Sequence, residues 1–419
     1  MTEPVASAEP FALAEPTRRV GRGFLTIVAL ANLGTMVAFF TPIQNLLPRL
    51  SEQVGGADGK ETALAWITGV GALVAVVANP LAGALSDRTT SQFGRRRPWV
   101  LGGALVGGLA IVTLPTQGTV LGLALLWGCG QAAVNASYAG ITATIPDQVP
   151  VSQRGVASGW VGVSQTLGVV LGVALVSFAV TSLAPGAWAT ALLAMLLVVP
   201  FLFYLRDPVL PVERRPAFHL GAFVRGFWVS PRQYPDFAWA WITRFLISLS
   251  NAMATLYLLF FLKDQVGYDN PEQGQTILIA IYALGTMVTA VIGGRLSDRS
   301  GRRKIYVIVS SIVMAVAGLL LAGFPTFSVA MLAAAVLGAG YGVYLAVDQA
   351  LITQVLPAAA DRGRDLGVIN IANSAPQVLG PVIAAPIVTT LGGYPVLYGA
   401  TAFFALLSAV MVTRIVSVP

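Results

Sequence analysis

Cysteine and histidine are almost missing from this chain: one Cys, Cys129, and one His, His219, occur in 419 residues. A single thiol excludes an internal disulfide and any Cys-x-x-Cys pair, and a single imidazole excludes the His-Glu-x-x-His zinc motif. The sequence has no Gly-Lys-Ser/Thr phosphate loop and no Gly-x-Ser-x-Gly elbow, so neither ATP hydrolysis nor that hydrolase chemistry is expected. No cofactor, no metal site and no enzymatic activity is expected. Charge is scarce as well, at 10% of residues, and the net +7 is spread over short segments without a continuous basic face. That distribution excludes nucleic acid as a partner.

What the chain has in quantity is apolar surface. Hydrophobic residues make up 56% of it, with a mean hydropathy of +0.77, more than a water-facing globule could bury. Stretches long enough to cross a ~30 Å hydrocarbon core as helix fall at 23–46, 63–86, 98–114, 119–145, 155–181, 187–205, 237–262, 274–296, 304–323, 327–356, 364–390 and 394–416. The expected fold is therefore all-α, with twelve transmembrane helices. Residues 1–21, rich in Ala, Glu and Pro, read as a disordered cytosolic tail. If both termini are cytosolic, 21 of the 25 Lys and Arg lie on the cytosolic side. Arg49, Lys60 and Lys263 then lie outside and Arg244 within a helix. This bias sets the orientation and predicts a multi-pass protein of the plasma membrane.

The chain is written twice. "GALSDR" at 83–88 reappears as "GRLSDR" at 294–299, and "SGWVGVSQTLGVVLG" at 158–172 runs parallel to "LGVINIANSAPQVLG" at 366–380. The offsets, 211 and 208, imply two six-helix repeats in parallel orientation. The expected organisation is an N-terminal bundle over 22–205, a basic cytosolic linker over 206–236 holding His219, and a C-terminal bundle over 237–419.

In each half a Gly-x-x-x-Asp-Arg segment is followed by Gly-Arg-Arg: Gly83, Asp87, Arg88, Gly94 and Arg95 in the first, Gly294, Asp298, Arg299, Gly301 and Arg302 in the second. Twelve helices in two halves joined by such loops resemble the major facilitator superfamily over about residues 20–416. In that family these loops latch the cytosolic side, which implies gating roles for Asp87, Arg88, Gly94, Arg95, Asp298, Arg299, Gly301 and Arg302. The Asp residues would accept hydrogen bonds from a neighbouring helix N-terminus, and the Arg residues would hold cytosolic helix ends and anionic headgroups. The longer first copy, with "GRRRPW" at 94–99, resembles the sucrose transporter and glycoside-pentoside-hexuronide symporter branches. Those branches imply sugars moved with protons or sodium ions.

Two ionisable residues fall deep in the expected spans, Arg244 in the seventh and Asp348 in the tenth. Intramembrane charge is costly and marks function; each lies ~11 Å from its cytosolic end at 1.5 Å per residue, so the two can meet and serve coupling. A static salt bridge is the competing reading. Neutral polar residues form stripes on otherwise apolar helices: Asn32; Gln131, Asn135 and Tyr138; Asn251 beside Arg244; Tyr341 beside Asp348; and Asn370, Asn373 and Gln377. Amides and phenols both donate and accept hydrogen bonds, as a polyol requires, although such residues also tie membrane helices together. The expected sodium-binding carboxylates of the melibiose-permease-like members are missing from the N-terminal spans, which favours the proton over sodium. The sequence thus predicts a monomeric secondary transporter of a small polar solute, a sugar or glycoside, working by alternating access with proton coupling and surrounded by lipid. An efflux antiporter of amphipathic molecules and an uncoupled facilitator are the alternatives.

Overall fold

A computed structural model describes residues 16–207, 209–215, 221, 230–355 and 362–417. The expectations for His219, for residues 1–15, and for the side chains of Asp298, Asn370 and Asn373 fall outside the described residues. Twelve long helices, with short helical segments between them, account for most of the described residues. In the first half they are α1 (Arg22–Thr41), α2 (Leu47–Ser86), α3 (Arg97–Thr113), α4 (Val120–Gln148), α5 (Val151–Ala174) and α6 (Leu183–Tyr204). The second half holds α7 (Pro235–Leu256), α8 (Pro271–Ser300), α9 (Arg303–Gly323), α10 (Phe327–Val355), α11 (Arg362–Thr390) and α12 (Gly393–Met411).

Among the described residues nine segments are long and apolar enough to cross a membrane, or ten with one bent pair. The first of them, Arg22–Ser86, is 65 residues long; at 1.5 Å per residue that is roughly 98 Å, enough for two crossings. Its backbone breaks at Gly56, where φ is 67°, a conformation glycine reaches without the Cβ clash other residues suffer. The bent pair is α7 and its continuation Leu258–Val266, which diverge by 41° at Tyr257. In α11 the described apolar stretch is Ala375–Thr390. Large apolar side chains point outward along the spans, among them Leu73, Leu109, Leu121, Leu196, Phe203, Leu284 and Phe403. Only a hydrocarbon solvent makes that arrangement favourable.

The two halves pack alike. In the first, α1 lies against α5 and α6, α3 against α4 and α6, and α2 against α4. In the second, α7 lies against α11 and α12, α9 against α10 and α12, and α8 against α10. Each pairing becomes its partner on adding six to the helix number, and the main contacts between halves, α2 with α11 and α5 with α8, exchange under the same operation. The sequence repeat is therefore a packing repeat. The described connections after α2, α4 and α8, with the start of the segment after α6, lie on the arginine-rich face, and those after α1, α7 and α11 lie on the far face. At the arginine face Val20, within the expected tail, exchanges two hydrogen bonds of 2.9 Å with the Gln153 side chain, so the tail is pinned there.

Candidate functional site

Arg244 on α7 and Asp348 on α10 meet midway through the second half. Nε lies 2.7 Å from Oδ2, with both side chains 3% exposed. The contact is a buried charge pair. Tyr344, 1% exposed, lies one turn from Asp348. Tyr341 continues the wall: its ring stands 6.0 Å from that of Tyr344 and stacks on Tyr282 of α8 at 6.1 Å and 27°. The Tyr282 hydroxyl donates to Asn251 Oδ1 at 3.0 Å. Gly338 makes this approach possible, because a Cβ there would lie 2.2 Å from the Tyr282 carbonyl oxygen. The second half thus gathers Arg244, Asn251, Tyr282, Tyr341, Tyr344 and Asp348 on three helices.

The first half supplies amides instead. Asn79 of α2 donates to Asn135 Oδ1 at 3.3 Å, and Asn135 donates to Gln131 Oε1 at 2.9 Å. Tyr138, a turn further along α4, is half-buried. Asn32 is not part of this chain of amides; fully buried, it donates to the Val161 carbonyl at 3.1 Å and to Ser164 Oγ at 3.0 Å. It ties α1 to α5, so its placement is that of a structural bond. Gln377 on α11 is exposed. Among the described residues no hydrogen bond or ion pair joins the amide set to the Arg244–Asp348 set.

At the arginine face Arg96, 3% exposed, holds three partners: Nε donates to Asp147 Oδ2 at 2.8 Å, and the terminal nitrogens to Ser86 Oγ and Asp87 Oδ1, both at 2.5 Å. Arg95 adds a second contact to Asp147 at 3.2 Å. Burial works against the Arg96 charge, but the hydrogen bonds and charges of Asp147 and Asp87 hold its guanidinium above the usual range. The carboxylate that caps a helix N-terminus here is not Asp87, as expected from the sequence, but Asp207. Its Oδ2 accepts the backbone N–H groups of Arg96 and Arg97 at 2.6 and 2.7 Å, because α3 begins at Arg97 and leaves those groups unpaired. Asp87 sits with its side chain 55% exposed, and its partner is the arginine beyond the loop. Gly94 serves this arrangement: its φ is 98°, and a Cβ would lie 2.2 Å from Asp207 Cγ. Burial pushes the Asp207 carboxyl up, above the usual carboxylate range, against the pull of the N–H groups of Arg97, Arg96 and Arg95.

The second half repeats the plan with different chemistry. Lys304 Nζ donates to the Ile415 carbonyl at 2.9 Å, and Lys304 and Ile415 stand 208 positions after Arg96 and Asp207. In both halves the chain leaving the sixth helix docks on the start of the third. Arg299 and Arg302 are exposed, and Gly301, at φ 66°, ends α8. Arg88 is half-buried.

The far face carries the bonds between halves. All three basic residues assigned to it cross over: Arg49 to Glu272 at 3.8 Å, Lys60 to Asp264 at 2.7 Å, and Lys263 to Glu52 at 2.5 Å. The Tyr394 hydroxyl lies 3.2 Å from Glu61 Oε1 and 3.0 Å from Asp264 Oδ2, and the Tyr257 hydroxyl donates to the Glu61 carbonyl at 3.2 Å. Sequence reasoning began the second span at 63 and left Lys60 and Glu61 in a loop. They are helical and buried, at 5% and 7% exposed, because the other half supplies Asp264 as a counter-charge to Lys60 and the Tyr394 hydroxyl as a donor to Glu61. Asn79 and Tyr282 were missed too, though each is a polar residue inside an apolar span and the same signal that marked Asn135 and Tyr341 would have found them. Arg96, Asp147 and Asp207 carried no such signal, being charges among other loop charges.

Two helical halves packed alike, enclosing paired charge and hydrogen-bonding side chains at membrane depth, are the architecture of a solute transporter. Residues 23–280 and 241–419 each match the Major Facilitator Superfamily, and the chain belongs to that family; it is a multi-pass membrane transporter and not an enzyme. It is 33% identical over 117 residues to an MFS-type transporter of Mycobacterium tuberculosis, covering 27% of this chain and 17% of that one. It is 26% identical over 186 residues to the general alpha-glucoside permease of Schizosaccharomyces pombe, covering 40% and 32%. The alignments thus span less than a third of either relative. The crystal structure of a nucleoside transporter has the same fold, with a TM-score of 0.71 at 14% identity over 94% of this chain and 98% of that one.

Proposed function

We propose that the chain moves a small polar solute, a sugar or glycoside, by alternating access with proton coupling. The observation that carries the reading is the Arg244–Asp348 contact, a buried charge pair at 2.7 Å beside stacked tyrosines and Asn251. Amides on one side and phenols on the other suit a neutral polyol, whose hydroxyls need both donors and acceptors and whose C–H faces pack on aromatic rings. The stretch of similarity to an alpha-glucoside permease supports the sugar class. The basic-residue bias supports a cytosolic arginine face, cytosolic termini and a plasma-membrane location. On this reading the described conformation is sealed outside by the far-face contacts and opens inward.

Coupling follows from charge counting. Asp348 can accept a proton only as its contact with Arg244 is given up, since a neutral carboxyl no longer compensates the buried guanidinium. Helix movement or a solute hydroxyl that replaces the carboxylate at Arg244 would complete the exchange. The test is uptake into proteoliposomes under imposed pH or sodium gradients. An inward proton gradient should drive accumulation, a protonophore should abolish it, and Asp348→Asn should lose uphill accumulation while still exchanging labelled for unlabelled solute. Accumulation driven by sodium alone overturns the proton assignment, and plain equilibration under every gradient leaves a facilitator.

A further inference from the structure

The end of α4 gathers arginines that no described residue neutralises. Gln148 Nε2 donates to the Arg206 carbonyl at 2.8 Å, which fastens the chain leaving α6 to α4. The next residue, Val149, is fully buried in an apolar cluster with Leu25 and Ala157, and Val20 and Phe24 pack against it. Together with the bonds between Val20 and Gln153, this packing holds the segment before α1 at the same spot. Arg18, Arg19 and Arg22 stand within two residues of Val20. These three and Arg206 are exposed, and among the described residues none of the four side chains has an ion pair or hydrogen bond. The carboxylates close by are already engaged: Asp147 with Arg95 and Arg96, and Asp207 with the backbone N–H groups of Arg96 and Arg97. A fifth arginine, Arg154, turns to the Val149 and Pro146 carbonyls. Four like charges held near one another repel unless an anion comes between them.

The height of the cluster selects the anion. Phe203 and Tyr204, at the end of the membrane span Leu183–Tyr204, are 73% and 77% exposed. Aromatic side chains so exposed at the end of a span belong to the border between hydrocarbon and headgroups, and Arg206 follows two residues beyond them, at the level of lipid phosphates. Guanidinium groups hold phosphate through paired hydrogen bonds. We propose that Arg18, Arg19, Arg22 and Arg206, flanked by Phe203 and Tyr204, bind the headgroup of an anionic phospholipid in the leaflet at the arginine face. The second half lacks the combination. Arg232 and Arg414 occupy the repeat positions of Arg22 and Arg206, but Met411 and Val412 stand where the aromatic pair would be. A carboxylate is also present there: Asp236 accepts the backbone N–H groups of Val416 and Ser417, just after Arg414.

The test is lipid binding by the purified full chain in neutral detergent, followed by native mass spectrometry during titration with dioctanoyl phosphatidylglycerol, dioctanoyl phosphatidylcholine or glycerol 1-phosphate. The parent should bind one phosphatidylglycerol more tightly than it binds phosphatidylcholine or glycerol 1-phosphate. Arg22→Gln/Arg206→Gln should weaken that lipid roughly 25-fold, at about fivefold for each arginine near the headgroups, and leave phosphatidylcholine binding as it was. Arg232→Gln/Arg414→Gln, which removes the same charge from the second half, should keep the parent's affinity. Phe203→Ala/Tyr204→Ala should narrow the gap between phosphatidylglycerol and glycerol 1-phosphate. Equal affinity of the parent for the two lipids overturns the proposal. Equal weakening by the two double-arginine variants overturns it in favour of diffuse attraction by net charge, and glycerol 1-phosphate bound as tightly as phosphatidylglycerol overturns it in favour of a site for free phosphate.

Discussion

The arginine face and the far face use charge to opposite ends. At the first, Arg95 and Arg96 with Asp87, Asp147 and Asp207 join α2, α3, α4 and the end of α6, all within one half. At the second, three sparse pairs and two tyrosines join one half to the other. Density of charge in the sequence therefore marks where a half is tied together internally, and isolated charge at the other face marks where the halves meet. The proposed alternating access needs both. On that proposal halves that move as bodies must not come apart internally, and the contacts that break in each cycle must be few and individually modest.

Substitutions can break or sharpen this contrast. The largest effect is expected at Arg96, whose loss leaves the half-buried Asp147 without one cation and frees Ser86 and Asp87. Arg96→Ala should cost about 3–5 kcal/mol of folding stability, as for breaking a buried pair, read by thermal unfolding in detergent. A loss no greater than that of Lys263→Ala would erase the distinction between the faces. Next comes Lys60, buried at the seam. Lys60→Met should leave folding nearly intact but favour parting of the halves by ~2 kcal/mol, roughly thirtyfold in population, seen as longer distances between far-face spin labels. An unfolding defect without a change in distance would make the seam a structural element.

Asp87 should matter less than its place in the repeated loop suggests. Its side chain is largely exposed, and its contact with Arg96 stays within a half, so Asp87→Asn should change stability by at most ~1 kcal/mol and alter labelling of single-Cys probes at the arginine face only slightly. A large shift in accessibility would favour the latch that the family resemblance implies. The smallest effect is at Asp207. Burial raises its carboxyl, so the folded chain holds that proton more tightly than the unfolded chain, whose carboxyl titrates near 3.8. That contribution is present in acid and is lost as pH rises through the folded value. Asp207→Asn should remove this slope from melting temperatures measured as pH rises above the ordinary carboxylate range, and an unchanged slope would assign it to other carboxylates.

Helices, orientation bias and the twofold plan were legible in the sequence because hydrocarbon solvent imposes simple rules on it: length, apolarity and repeat offset. Arg244 and Asp348 were legible for the same reason, as charges in a span stand out against their background. Their contact at 2.7 Å agreed with a depth estimate that needs only helical rise. The partners of Asp87, the capping role of Asp207 and the burial of Lys60 and Glu61 were not legible. In a loop every charge looks solvated, and which of them is buried depends on distant elements, α6 for the first cluster and α7 and α12 for the seam.

Asn32 illustrates the division within a single residue type. Sequence placed it and Asn135 in polar positions of similar promise; packing against Val161 and Ser164 made the first a bond between α1 and α5, while the second joins a chain of amides with Asn79. Local sequence fixes which side chains a helix carries and how far apart along it they lie. It does not decide what stands opposite, since that is set by helices tens to hundreds of residues away, and at membrane depth a polar group must bond whatever the packing brings near. Composition and periodicity thus determined that this chain spans a membrane in two matched halves, whereas tertiary structure alone decided which charges stiffen a half and which ones close the seam between them.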